Sequence, residues 1–167
     1  MEKKIILNTT YYNKINYEMS KWLSSLNLNV YCTVTLKQAL PNDGGTLTYI
    51  ADCDIKRTAW LLRDRLFKAT VGKKRKDRFP FLVFSEGGKD KRYHLHIVTA
   101  LPLGMSLVEF QDIFRHKALK LKWVYDEIDI CPIAPTTESR VVSYSLKTGP
   151  DAFIPEASFI PTPCCYT

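Results

Sequence analysis

The sequence lacks the features that mark several large classes of protein. It contains no run of about 18 apolar residues, so we expect no transmembrane helix and no membrane partner. The first apolar run, Ile5 to Leu7, is too short for the core of a signal peptide. The five cysteines include no Cys-x-x-Cys pair, and their number is odd. We therefore expect reduced thiols in a cytoplasmic protein, with neither a disulfide framework nor a cysteine zinc site.

The sequence also contains no Gly-x-x-x-x-Gly-Lys-Ser/Thr loop, the phosphate-binding signature of many nucleotide-hydrolysing proteins. It does contain a surplus of basic residues, 24 Lys+Arg against 17 Asp+Glu, which gives a net charge of +7. This surplus favours a polyanionic partner such as nucleic acid or an acidic membrane surface. Hydrophobic residues make up 46% of the 167 residues, which is enough for the core of one domain.

Periodicity and turn signals predict an α+β domain. The predicted strands are residues 30–36, 80–86, 92–100 and 122–131, and the predicted helices are 12–28, 55–71 after a cap at Asp54, 106 to about 121, and 136–147. An N-terminal helix followed by β-α-β-β-α-β-α predicts a ferredoxin-like or RRM-like antiparallel sheet with helices packed on it. We expect residues 1–150 to form the domain, with its core at about 30–150, and residues 151–167 to form an extended tail.

Two of the three histidines, His94 and His96, lie two residues apart in a predicted strand. Alternate residues of a strand face the same side, so the two imidazoles project together and can bind one divalent ion. Glu86 ends the preceding strand, and the hairpin would bring it near the pair. Such a mixed nitrogen and oxygen site suits manganese or magnesium in phosphoryl chemistry, and zinc or iron could also bind. Taken alone, the histidine pair is equally typical of packed or surface histidines, and a glutamate at the end of a strand is more often a solvated carboxylate.

Tyr144 and Lys147 are three residues apart in the last predicted helix, so they share one helix face. A phenol is a weak nucleophile at neutral pH, since its reference pKa is about 10. A nearby ammonium and a metal-bound phosphate would favour the phenolate and neutralise charge in the transition state. By itself this spacing is more often a half-buried tyrosine and an exposed lysine, and only its position after the last core strand and the histidine pair favour a site.

Basic residues cluster on both sides of the strand that ends at Glu86. One group forms a loop before it and the other lies in the hairpin after it, close to the predicted metal site. We predict that these residues bind nucleic-acid phosphates, with a solvated loop as the alternative. They are Lys73, Lys74, Arg75, Lys76 and Arg78 in the loop, and Lys89, Lys91 and Arg92 in the hairpin.

Three segments of the sequence resemble motifs of the HUH endonucleases, in particular the single-tyrosine initiators of rolling-circle replication in plasmids and small viruses. Residues 31–36, Tyr-Cys-Thr-Val-Thr-Leu, are similar to the first strand motif of that family. Residues 92–98, Arg-Tyr-His-Leu-His-Ile-Val, are similar to its histidine–hydrophobic–histidine motif, with the upstream acid at Glu86. Residues 141–147, Val-Val-Ser-Tyr-Ser-Leu-Lys, resemble its nucleophile helix. The three segments follow the order of the family.

The resemblance implies a mechanism. Glu86, His94 and His96 would hold one Mn²⁺ or Mg²⁺ ion that polarises the scissile phosphate. Tyr144 would attack in line and leave a 5′-phosphotyrosine and a free 3′-hydroxyl, with Lys147 stabilising charge. The reverse reaction would rejoin the strand. The implied partners are single-stranded DNA at a replication origin, whether open or in a hairpin, and a separate helicase. The working unit would be a monomer or a weak homodimer, in the cytoplasm or, for a viral protein, in the host nucleus or cytoplasm.

Other functions fit parts of the sequence. A non-catalytic module that binds single-stranded nucleic acid would use a ferredoxin-like sheet, but it would want exposed aromatic side chains on the central strands rather than histidines. An iron oxygenase could use two histidines and a carboxylate, but would leave Tyr144 and Lys147 without a role. Within the resembled family, a relaxase for plasmid transfer and a single-tyrosine transposase remain open.

Overall fold

The computed structural model describes residues 14, 17–19, 21–22, 25–72, 78–88, 91–134, 137–147 and 149–161. The fold is α+β, as predicted, and is built on a four-stranded antiparallel sheet with the strand order β4-β5-β1-β6. Two short strands form a separate two-stranded sheet. The strands are β1 (Val30–Leu36), β2 (Ala39–Pro41), β3 (Leu47–Tyr49), β4 (Phe81–Gly88), β5 (Lys91–Thr99) and β6 (Val124–Pro132). The helices are α1 (Asp52–Thr70), α2 (Leu107–Ala118) and α3 (Glu138–Ser145).

Helices α1 and α2 cover one face of the sheet and form the main core with it. Apolar residues of α1 recur at steps of three and four, and Ile55, Leu62 and Leu66 are buried. From β1, alternate residues Val30, Cys32, Val34 and Leu36 point into the same core. The burial of the side chains on this face fixes which side chains of each strand must point to the other face.

The opposite face carries a smaller apolar cluster and leaves the rest of its surface for polar groups. Leu82 and Phe84 of β4 and Val98 of β5 pack there against Val142 and Leu146, which lie in α3 and the turn after it. Residues 14, 17–19 and 21–22 are helical, as predicted for the N-terminal segment, and Met19 packs at the edge of this cluster. The third helix therefore lies on the face that α1 and α2 leave free.

Three predictions about local structure need correction. Residues 39–41 and 47–49 pair as a hairpin, whereas none of the predicted strands lies there. Asp54 does not cap α1 from outside, because the helix begins earlier, at Asp52. The Asp54 carboxylate instead accepts a hydrogen bond from the backbone N–H of Ala51. Helix α2 ends at Ala118, about a turn before the predicted end, although its capping box between Ser106 and Glu109 is present as predicted.

Residues 151–161, predicted to belong to an extended tail, pack against the edge of the sheet. Ile154 is 2% exposed, and its backbone N–H donates to the carbonyl of Val83 in β4. Phe81 and Phe159 exchange backbone hydrogen bonds of 2.8 and 2.7 Å. Since β4 is an edge strand, this segment covers backbone groups that would otherwise be open to pairing with another chain.

Two smaller findings bear on the general class of the protein. No helix in the part of the chain that the structure describes is long and apolar enough to cross a membrane. Cys32, Cys53 and Cys131 are free thiols, and Cys32 is buried in the main core. Cys164 and Cys165 lie outside the described residues.

Candidate active site

The register of the sheet brings the predicted metal ligands together. Glu86 of β4 lies directly opposite His94 of β5, and His96 follows two residues later on the same face. The strand bulges immediately after Glu86, where Gly87 has a φ of 142°. A Cβ at Gly87 would lie 2.6 Å from the Cα of Tyr93, so only glycine allows the two strands to approach so closely here. The bulge therefore helps to fix the position of the Glu86 carboxylate.

His96 and Glu86 are joined by a short hydrogen bond. Nε2 of His96 lies 2.8 Å from Oε2 of Glu86, and both side chains are largely buried, at 7% and 14% exposure. The same oxygen of Glu86 lies 2.8 Å from Nζ of Lys147. One carboxylate oxygen thus accepts from an imidazole of β5 and from an ammonium just after α3, and it connects the sheet to the last helix.

The Nδ1 atoms of both histidines contact hydroxyl groups of β1. From the family resemblance alone we expect Thr33 and Thr35 to help support the site, whereas the contact of Tyr31 is not expected. The Tyr31 hydroxyl lies 2.6 Å from Nδ1 of His96, with Thr33 at 3.4 Å from the same nitrogen. Thr35 lies 3.2 Å from Nδ1 of His94. The alternation of Tyr31, Thr33 and Thr35 places all three on the face opposite Cys32 and Val34, so the period-two pattern of β1 was the signal that could have identified them.

Tyr144 and Lys147 reach the same cluster from α3 and the turn after it. The ring of Tyr144 packs edge-on against His96, with 6.0 Å between ring centroids, and Tyr144 is 52% exposed. Nζ of Lys147 lies 3.7 Å from the centroid of the Tyr144 ring. An exposed phenol beside a buried imidazole and an ammonium is accessible to a macromolecular substrate and stands next to groups that can stabilise negative charge.

Burial and hydrogen bonding set the protonation of the cluster. Burial lowers the pKa of His96, and the carboxylate of Glu86 offsets this only in part, so the imidazole is neutral at neutral pH. Burial alone would raise the pKa of Glu86, but hydrogen bonds from Lys147 and His96 lower it overall. Burial alone would lower the pKa of Lys147, but hydrogen bonds to Glu86 and Tyr144 raise it overall. The site therefore contains one carboxylate, one ammonium and a neutral His96.

These protonation states fix the direction of the hydrogen bonds around His96. Since Glu86 is ionised, Nε2 of His96 must carry the proton and donate it, and Nδ1 is then an acceptor. Burial raises the pKa of Tyr31, so its hydroxyl keeps its proton and donates to Nδ1. A hydroxyl can also accept a hydrogen bond. Tyr31 is therefore compatible with either tautomer of His96.

The predicted cationic residues divide into three groups. Lys91 and Arg92 line the cleft of about 620 Å³ that contains the cluster, and Arg92 also pairs with Glu127 at 3.4 Å. Arg78 does not line this cleft, and its guanidinium packs over the rings of Phe67 and Phe159. The remaining predicted cations lie outside the described residues: Lys73, Lys74, Arg75, Lys76 and Lys89.

The predicted ligands are close to one another, but they do not form a ready-made metal site. Among the described residues, no group of three or more His, Cys, Asp or Glu side chains is arranged to hold a metal ion. The rings of His94 and His96 are nearly parallel, at 21°, and their centroids are 6.3 Å apart. The two rings project from β5 in parallel, on the same face of the sheet, and do not converge on one point.

Comparisons with protein-family models, with curated proteins and with solved structures find no match to this chain.

Proposed function

We propose that the chain is a metal-dependent endonuclease that nicks and rejoins single-stranded DNA through a covalent tyrosine intermediate, as an initiator of rolling-circle replication does. One observation carries this proposal. A single open cleft joins two imidazoles and a carboxylate from adjacent strands to an exposed tyrosine of α3 and a lysine from the turn after it. An imidazole pair that served only packing would not need the Tyr144 and Lys147 side chains beside it.

The donor set fits a divalent cation in its chemistry. Glu86, His94 and His96 would hold the ion, and both Nδ1 atoms contact hydroxyl groups that can orient a metal-binding imidazole from behind. Mn²⁺ or Mg²⁺ would polarise a phosphate oxygen and offset charge that builds up on the phosphate. Tyr31 supports this assignment, because its hydroxyl can accept from Nδ1 once Nε2 gives up its proton.

The residues of the chain account for the bond changes. The Tyr144 hydroxyl gives its proton to solvent water, and its oxygen forms a bond to phosphorus while the bond from phosphorus to the 3′-oxygen breaks. The 3′-oxygen takes a proton from water and leaves as a free 3′-hydroxyl, and the 5′-phosphate stays on Tyr144. The Lys147 ammonium, which contacts the Tyr144 ring, offsets the charge of the phenolate. The reverse attack by a 3′-hydroxyl rejoins the strand without another energy source.

The order and direction of the strands support a ferredoxin-like fold. All neighbouring strands are antiparallel, and the order β4-β5-β1-β6 places the first strand of the β-α-β-β-α-β core beside the third and the fourth. We assign this core to the ferredoxin-like class. The partners in this proposal are single-stranded DNA at a replication origin and a separate helicase.

A covalent-adduct assay tests the proposal. The purified chain is mixed with a pool of labelled single-stranded DNA and Mn²⁺ and is resolved on a denaturing gel. We expect a labelled band that migrates above the protein, that disappears with a chelator and that is lost in Tyr144→Phe. Tyr125→Phe is the matched control, because Tyr125 is also an exposed tyrosine, at 41% exposure, and lies in β6.

Each outcome has a clear meaning. An adduct that survives Tyr144→Phe but not Tyr125→Phe would place the nucleophile elsewhere and overturn the site. An adduct that is indifferent to the chelator would overturn the role of the metal. If no adduct forms with DNA from the replicon of the protein itself, although the DNA binds, a non-catalytic binding module becomes the better interpretation.

A further inference from the structure

A second cleft lies beside the candidate active site, on the side where the hairpin of β2 and β3 stands. Its volume is about 480 Å³, within the range of small-ligand pockets. Gln38 and Tyr49 line it from the hairpin side, and Lys91 and Arg92 line it from β5. Lys91 and Arg92 also line the candidate active site, so the two clefts share these two cations.

Packing in the core does not explain the presence of an aromatic residue at Tyr49. It is 70% exposed, and all three residues of β3 are exposed. An aromatic side chain at such a position adds little to a core and leaves most of its surface accessible to a ligand. Exposed aromatic rings beside cations are the usual means by which proteins hold unpaired bases, because every base has a flat π face that can stack.

The charge of the cleft favours the same ligand. Lys91 and Arg92 are both exposed, and Arg92 already stacks on an aromatic ring, that of Tyr125, at 5.6 Å. Cations that lie between two clefts can contact the phosphate that links a nucleotide in one cleft to a nucleotide in the other. The side-chain amide of Gln38, which donates to the carbonyl of Leu36, adds a polar group that can face the edge of a base.

We propose that this second cleft is a stacking subsite that holds an unpaired nucleotide next to the scissile phosphate, with the base on Tyr49 and the linking phosphate on Lys91. This inference rests on the proposed function for the identity of the strand. It adds a residue, Tyr49, and an element, the hairpin of β2 and β3, to the predicted substrate surface. A double helix does not fit this role, since its bases are already stacked and paired.

The test measures binding without cleavage. A fluorescein-labelled oligothymidine of about 16 nucleotides, within the usual range of single-stranded site sizes, is titrated with the protein in a chelator, and anisotropy gives Kd. We expect Tyr49→Ala to weaken binding by about 5- to 150-fold, the usual range for loss of one stacked base, and Tyr49→Phe to bind as the parent does. Trp60→Ala is the matched control. Trp60 is an exposed aromatic residue, at 44%, and lies on α1 behind the sheet.

Two further measurements separate stacking from other effects. Lys91→Gln should reduce the slope of log Kd against log salt by about 0.7, the value for one phosphate contact with a single strand. An oligonucleotide series with one abasic position moved along the strand should show a position where loss of the base weakens binding to the parent but not to Tyr49→Ala. Thermal melting confirms that each variant is folded.

The proposal is overturned if Tyr49→Ala binds as tightly as Trp60→Ala, or if Tyr49→Phe loses as much affinity as Tyr49→Ala. These results are distinct from failure of the proposed function. Normal adduct formation with binding that does not depend on Tyr49 would remove the subsite and keep the nuclease. Binding that depends on Tyr49 with no adduct under any metal would remove the nuclease and keep the subsite as part of a binding module.

Discussion

The Tyr31 hydroxyl offers a direct test of how His96 is held, because Tyr31→Phe removes one oxygen and keeps the ring. In the structure the hydroxyl lies 2.6 Å from Nδ1 of His96, and the two rings stack with centroids 5.7 Å apart. His96 is 6% exposed, so Nδ1 has little access to water. An unsatisfied buried acceptor costs about 1–3 kcal/mol. The Thr33 hydroxyl, at 3.4 Å, can compensate in part, and we expect a loss near the lower end, about 1 kcal/mol.

The same substitution should also weaken metal binding. A partner that orients a metal-binding imidazole from behind is typically worth about 10- to 100-fold in metal affinity. Urea unfolding in a chelator measures the loss of stability, and calorimetric titration with Mn²⁺ measures the loss of metal affinity. Tyr17→Phe is the matched control, because Tyr17 is 65% exposed and its hydroxyl is free to bond with water.

A role of the Tyr31 hydroxyl in holding His96 is refuted if Tyr31→Phe behaves like Tyr17→Phe in both measurements. A variant that loses stability but binds Mn²⁺ as the parent does would make Tyr31 only a packing partner of His96. A variant that binds Mn²⁺ more weakly at unchanged stability would indicate that Thr33 replaces the hydrogen bond but not the orientation of the ring.

Two predictions concern the frame around the site. Ile154→Ala should lower the free energy of unfolding in urea by about 2–5 kcal/mol, because Ile154 is 2% exposed and packs against β4. A change within about 0.5 kcal/mol would mean that residues 151–161 do not pack on the sheet. Hydrogen bonds from the backbone and hydroxyl of Ser106 lower the pKa of Glu109, so its stabilisation of α2 is present above the ordinary carboxyl pKa and is lost as pH falls through the lowered value. Unfolding midpoints from about pH 7 to about pH 3 should therefore fall more steeply for the parent than for Glu109→Gln, which removes the titrating carboxyl, and parallel curves would contradict this origin.

The parts of the site that the sequence predicts are those that depend on local geometry. His94 and His96 share a face because a strand alternates, and Glu86 lies beside them because a tight hairpin joins β4 to β5. Tyr144 lies in α3 and Lys147 in the turn that follows it, and their separation of three residues keeps the two side chains on the same side. In each case the spacing within one element, or across one hairpin, is enough to place the side chains.

The parts that the sequence does not predict depend on the register between distant segments. Tyr31 and His96 are 65 residues apart, and their contact follows only from the pairing of β1 with β5. Arg78 belongs to a basic run, which predicts a surface position. In the structure its guanidinium packs on Phe159, a residue from the far end of the chain. The C-terminal residues carry no clear periodicity, and their burial depends on the open edge that β4 presents.

The charges in the site form one connected network and not two separate halves. The same oxygen of Glu86 is 2.8 Å from both His96 and Lys147, and Lys147 lies over the ring of Tyr144. Because Lys147 is protonated and Glu86 is ionised, each neutralises the other in a partly buried place where a single charge would be costly. A group that binds the Glu86 carboxylate must therefore also change the electrostatics around Lys147, and through it around Tyr144. This network couples the predicted ligand set to the predicted nucleophile by direct contact.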